Sequence, residues 1–179
     1  MKREEVEKEL EFVGFAVITT PLKPDSKALI KEIMDSSHRV SMITGDAPLT
    51  ACYVAKELNF MKRKRSLILS RNETQRGDEY KWRTIDLDLS LPVEPANVHE
   101  FVSKYDLCLT GDAMAYLIDA HPKLFNALLP FVKVWARVAP KQKEFIITSM
   151  RSQGYYVLMC GMCEPLFCPE LFHFGFWLN

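Results

Sequence analysis

Short apolar runs, each followed by a segment whose apolar residues recur three and four apart, repeat along most of this chain, and that alternation leaves few folds open. Val40 to Ile43 precedes Ala51, Val54, Ala55 and Leu58; Asp106 to Leu109 precedes Met114, Leu117 and Ile118; Lys133 to Ala136 precedes Phe145, Ile146 and Met150; Tyr155 to Met159 closes the series. Runs of this length suit strands buried on both faces, and the spaced residues suit the inner face of a helix. Strands joined by helices run parallel, because each crossover returns the chain to the edge it started from. The pattern therefore predicts an α/β fold, a mostly parallel, Rossmann-like sheet with crossover helices. Upstream, Val13 to Thr19 predicts one more buried strand, which leaves into a loop at Pro21 and Pro24, where prolines remove backbone donors. Asp25 and Ser26 then start a helix carrying Leu29, Ile30, Ile33 and Met34. The more polar stretch 61–95 reads as an insertion with room for a hairpin, its strands near Leu67 to Leu69 and Trp82 to Leu87.

Charge and cysteine content remove several classes of function. With 179 residues, 48% of them hydrophobic, the chain can bury one ordinary core. Lys plus Arg number 23 and Asp plus Glu number 23, so no long-range field draws the chain to nucleic acid or anionic lipid. The run Lys62-Arg63-Lys64-Arg65 has Glu57, Glu73, Asp78 and Glu79 nearby in sequence and reads as a solvated loop. Five cysteines at irregular spacing form no disulfide framework, which points to a reducing, cytosolic setting. The first ten residues are densely charged and carry no apolar export segment. The apolar end from Tyr155 to Leu178 is broken by Glu164, Pro165, Pro169, Glu170 and His173, which no membrane span tolerates together.

Chemistry concentrates at two strand ends. Ser41-Met42-Ile43-Thr44-Gly45-Asp46 places a hydroxyl, an unhindered backbone amide and a carboxylate at the carboxyl end of a strand, where ligands bind in open α/β sheets. Glycine admits a phosphoryl group close to the backbone, and the following helix turns its positive end towards it. The same letters also serve as a plain helix-capping turn, and Leu109-Thr110-Gly111-Asp112, which repeats them, is read that way. At the second strand end, Arg137-Val138-Ala139-Pro140-Lys141-Gln142-Lys143 places Lys143 in the first turn of a helix. A cation there opposes the helix dipole, so it is either fully solvated or within reach of an anion.

Together these segments resemble the cytosolic phosphorylation domain of P-type ATPases, a branch of the haloacid-dehalogenase superfamily. The resemblance runs from about Phe12 to Gly161 through Pro21-Leu22-Lys23-Pro24-Asp25, Met42-Ile43-Thr44-Gly45-Asp46, Arg137 to Lys143 and Val157-Leu158-Met159-Cys160-Gly161, in the family's order. It is nearest to the type-five pumps of the endoplasmic reticulum, whose substrates in that family are misplaced transmembrane helices. It implies a partial phosphorylation domain over residues 1–161, with the insertion at about 61–95, and an unrelated apolar tail over 162–179. It further implies that Thr44 and Gly45 face the transferring phosphoryl group with Asp46 in the same loop, that Lys143 neutralises that group, and that Arg137 and Lys23 lie near the nucleotide. ATP and Mg2+ are the family's ligands, and the full-length pump sits in the membrane with this domain in the cytosol.

The family's acceptor, an aspartate within Asp-Lys-Thr-Gly-Thr, occurs nowhere in the 179 residues, and after Gly161 the magnesium-binding Asp-Gly-Xaa-Asn-Asp loop is replaced by Met162-Cys163-Glu164-Pro165. The expectation is a chain that binds ATP or phosphate weakly and neither hydrolyses ATP nor transports. A soluble phosphatase is disfavoured because the Val13 to Thr19 run carries no aspartate. The tail reads most simply as an apolar extension that packs over an open sheet edge or else stays exposed, and it offers two further readings. One is an interaction module that engages the full-length pump or chaperones. The other is a zinc knuckle at Cys160, Cys163, Cys168 and His173, opposed by its apolar surroundings.

Overall fold

The computed structural model describes residues 11–16, 21–74, 77–160 and 173–178. Its elements in chain order are α1 (Ser26–Asp35), β1 (Arg39–Ile43), α2 (Pro48–Glu57), β2 (Arg65–Thr74), β3 (Gly77–Thr84), β4 (Ser90–Leu91), α3 (Val98–Lys104), β5 (Tyr105–Thr110), α4 (Gly111–Ala120), α5 (Pro122–Leu128), a 3₁₀ turn (Leu129–Phe131), β6 (Val132–Ala136), α6 (Pro140–Ser152), β7 (Tyr156–Cys160) and β8 (His173–Leu178). The strands make one sheet in the order β4-β3-β2-β5-β6-β1-β8-β7. Its centre, β2-β5-β6-β1, is parallel throughout, as the strand–helix alternation predicts.

Alternation along the strands divides the core between the sheet's two faces. Leu67, Leu69, Leu107, Leu109 and Trp135 belong to the cluster that takes in Ala113, Met114 and Leu117 of α4, Phe125 of α5 and Ile146 and Met150 of α6. Ile68, Cys108, Val134 and Ala136 belong to the other, with Ile30 of α1 and Ala51, Cys52 and Ala55 of α2. The result is a helix–sheet–helix sandwich with buried parallel strands.

Several local expectations are corrected. Residues 13–16 of the apolar run Val13 to Thr19 form no strand, and Val13 and Phe15 are 98% and 90% exposed; 17–20 lie outside the described residues. A lone apolar run becomes a strand only where it finds a paired neighbour, and β1 already has β6 on one side and β8 on the other. Segment 61–95 carries the expected hairpin, and that hairpin is part of the sheet. Its hairpin β2–β3 is joined to the parallel core because β2 pairs with β5 from Arg65↔Tyr105 to Leu69↔Leu109. Buried Trp82 anchors it, with Nε1 donating to the Val93 carbonyl at 3.0 Å and its ring set edge-on to Phe101 at 5.3 Å. Asp25 precedes α1 but makes no side-chain cap, and Leu29 stays 55% exposed. Residues 173–178 of the expected tail are a sheet strand, antiparallel to both β1 and β7. The zinc-knuckle residues Cys163 and Cys168 lie outside the described residues.

Candidate anion site at the carboxyl edge of the sheet

The loops after β1 and β6 meet at the carboxyl edge of the parallel strands. Thr44 N donates to the Trp135 carbonyl at 2.8 Å, Val138 N to the Thr44 carbonyl at 3.1 Å, and Arg137 N to the Asp46 carbonyl at 3.0 Å. These three bonds extend the β1–β6 pairing past the ends of both strands. The 44–46 and 137–138 loops therefore form one unit. Asp46 N closes the first loop on itself by donating to Thr44 Oγ1 at 3.1 Å.

Both loops feed directly into helices with apolar N-caps. Ala47 precedes α2 and Ala139 precedes α6, each followed by proline, and neither N-cap side chain accepts from the helix. The remaining N–H groups of two helix starts, those of Leu49, Thr50 and Lys141, thus lie beside the joined loops, a favourable setting for an anion. Lys143 follows in the first turn of α6, where its amide donates to the Ala139 carbonyl at 3.1 Å. Partial burial holds its ammonium below the usual lysine range, and no carboxylate pairs with it among the described residues.

The predicted site residues divide by exposure. Gly45 is exposed, and a Cβ added there would meet nothing within 4 Å. Thr44 is wholly enclosed, so its hydroxyl braces the loop, while Asp46 is half-buried. Arg137 is exposed, with φ at 50°, a strained left-handed conformation for a residue with a side chain. Lys23 is exposed at the start of α1, its carbonyl accepting from Ser26 N at 3.1 Å, and it takes no part in the hydrogen bonds joining the two loops.

No protein-family model matches the chain. Curated proteins do. The chain is 38% identical over 163 residues to an endoplasmic reticulum transmembrane helix translocase of Schizosaccharomyces pombe, covering 90% of this chain and 13% of that protein. It is 42% identical over 161 residues to the probable manganese-transporting ATPase PDR2 of Arabidopsis thaliana, again 90% of this chain and 13% of the relative. A Saccharomyces cerevisiae endoplasmic reticulum transmembrane helix translocase matches at 39% over 165 residues, with the same two coverages. The chain is homologous to a short part of type-five P-type ATPases. It spans about one eighth of the length of these relatives. Among its described residues no helix is long and apolar enough to cross a membrane.

The two Thr-Gly-Asp copies have separate uses. At the second copy α4 begins at Gly111 itself, and Thr110 caps it by accepting from Ala113 N at 3.2 Å. Gly111 is also the floor under the Arg137 loop, since a Cβ there would fall 2.5 Å from the Arg137 carbonyl oxygen and 2.6 Å from Gln142 Oε1. Gln142 is the residue that sequence reading missed. Its Oε1 accepts from Ala139 N at 3.0 Å and its Nε2 donates to the Gly111 carbonyl at 2.9 Å, which ties the start of α6 to the start of α4. A glutamine three residues after the N-cap is a local signal for the first bond only. Replacing it removes both, and Gln142→Ala is expected to cost about 1–2 kcal/mol, seen as a melting temperature lower by about 3–6 °C.

Proposed function

We propose that this chain is part of the phosphorylation domain of a type-five P-type ATPase and that its joined loops are part of the cradle for the phosphate end of ATP. The observation that carries this reading is the convergence of Gly45, two helix starts with apolar N-caps, and Lys143 at one strand edge. When bound, ATP supplies the phosphoryl group. This chain's contribution is placement: the Gly45 backbone lets the phosphate chain come close, the helix starts present N–H donors, and the Lys143 ammonium balances the spreading charge. Thr44 holds the loop in shape from beneath, and Arg137 and Asp46 stand at its margin beside the nucleotide. Mg2+ would enter with ATP. The Asp-Gly-Xaa-Asn-Asp loop that binds it in the family does not follow Gly161 in this sequence, which reads Met162-Cys163-Glu164-Pro165 there.

The acceptor aspartate is not among these 179 residues, so this stretch by itself binds nucleotide and forms no phosphoenzyme. The work of the whole pump belongs to the longer protein in which such a segment functions; for the relatives named as helix translocases, that is movement of transmembrane helices at the endoplasmic reticulum. The cytosolic side of that membrane is the proposed location. The rival reading, an apolar tail that recruits a pump or chaperone, loses support because residues 173–178 are paired on both sides within the sheet. Titrating the chain with ATP in the presence of Mg2+, alongside incubation with radiolabelled ATP, tests the proposal. Saturable binding without acid-stable label is expected. Label on an aspartate would overturn the inactive reading, and no binding would overturn the cradle.

A further inference from the structure

The opposite edge of the sheet carries a second site. There, a cleft of about 580 Å³ opens where the parallel strands begin, and its lining includes Arg39, Lys62, Arg63, Lys64, Lys104 and Lys133 with a single carboxylate, Asp106. These cations come from four places in the chain, the start of β1, the segment before β2, the end of α3 and the start of β6, while Asp106 comes from the start of β5. A chain of zero formal net charge thus concentrates six positive groups around one opening. The run 62–64, expected to be a solvated loop, is exposed but is not loosely held.

Three of the cations are positioned by contacts unrelated to any ligand. Asp106, 4% exposed, accepts from the backbone N–H of Arg63 at 2.7 Å and so pins the basic run over the cleft. The Arg39 guanidinium lies 5.6 Å from the centre of the Phe131 ring, a cation–π distance. Lys133 is set into the sheet, where burial depresses its pKa; Asp106 pushes the other way, and Arg39, Arg63 and Lys62 add to the depression. Among the described residues, Lys104 alone of these cations has an exposed carboxylate partner, Glu100. Like charges held together in this way repel one another, and one carboxylate does not balance them, so a multiply charged anion relieves the strain.

We propose that this cleft binds a compact, multiply phosphorylated group, of the kind carried by a soluble polyphosphate ester or by a phosphoinositide headgroup. Its volume suits a small ligand, and its mix of fixed Arg and Lys donors suits clustered phosphates. The site is distinct from the ATP cradle, because β1 and β6 separate the two edges by about 15 Å.

Calorimetric titration of the 179-residue chain with inositol hexakisphosphate at low salt, and co-sedimentation with phosphatidylcholine vesicles with or without phosphatidylinositol bisphosphate, test this. The triple variant Lys62→Ala/Arg63→Ala/Lys64→Ala is expected to lose at least about tenfold in affinity, with the exposed single change Lys64→Glu as a second, fold-neutral probe. Both variants should keep the wild-type melting temperature and ATP affinity, whereas Lys143→Ala should affect ATP alone. Binding to the soluble probe only assigns a free polyphosphate, and pelleting with the phosphoinositide vesicles as well assigns a headgroup. Absence of binding to both probes, or retention of affinity within about twofold by the triple variant, overturns the proposal.

Discussion

Lys143→Ala is expected to weaken ATP binding by about 10- to 100-fold, the range for losing one charge-assisted hydrogen bond, without lowering the melting temperature. The two halves of this result have the same cause. Lys143 stands in the first turn of α6 with no carboxylate partner among the described residues, and partial burial disfavours its charge. In the free protein the ammonium is therefore a small cost, and only an anion turns it into a gain. The sign with pH follows. Burial lowers the folded-state pKa, so just below the usual lysine range the unfolded chain holds more protons than the folded one, and wild-type stability rises with pH relative to Lys143→Ala. ATP affinity requires the proton and falls with rising pH across the same window. Parallel titrations and thermal melts over that range separate the two slopes. Equal ATP affinity in wild type and variant would remove Lys143 from the site.

The second large effect comes from two glycines that sequence alone treats alike. At Gly111 an alanine Cβ would sit 2.5 Å from the backbone oxygen of Arg137, which is held in turn by the Arg137 N–Asp46 carbonyl bond. Backbone cannot swing aside as the end of a side chain can, so Gly111→Ala is expected to cost about 2–4 kcal/mol and to lower the melting temperature by about 5–15 °C. At Gly45 the added Cβ meets nothing within 4 Å, and the backbone does not adopt a positive φ. Gly45→Ala should therefore melt like wild type while reducing ATP affinity several-fold, because the methyl group fills the space through which phosphate approaches. The contrast is the test. A destabilised Gly45→Ala with normal ATP binding would show that its glycine serves the fold and not the ligand.

Local periodicity was enough to place β1, β5, β6 and β7 and the helices α1, α2, α4 and α6, since each carries its own apolar pattern and needs no distant partner to be recognised. The short helices α3 and α5 have too few turns to show a period, and they were missed. Val13 to Thr19 has the composition of a strand, yet its described residues are unpaired and exposed, because apolar composition does not itself supply a pairing partner. The two Thr-Gly-Asp segments were told apart only as expectation; the difference in their surroundings, a free Gly45 against a Gly111 under the Arg137 carbonyl, is a matter of which loops lie across from them.

What the sequence by itself determined is the alternation of buried strand and covering helix, and with it a sheet whose carboxyl edge gathers loops. Tertiary structure alone decided which loops touch. Strand order brings residue 44 beside 135 and 138, carries Gln142 to Gly111, and draws Arg39, the 62–64 run, Lys104 and Lys133 around one cleft. The physical reason is that apolar spacing is a property of neighbours along the chain, whereas a site is made by hydrogen bonds and charges between segments that strand pairing, set by the whole core, places side by side.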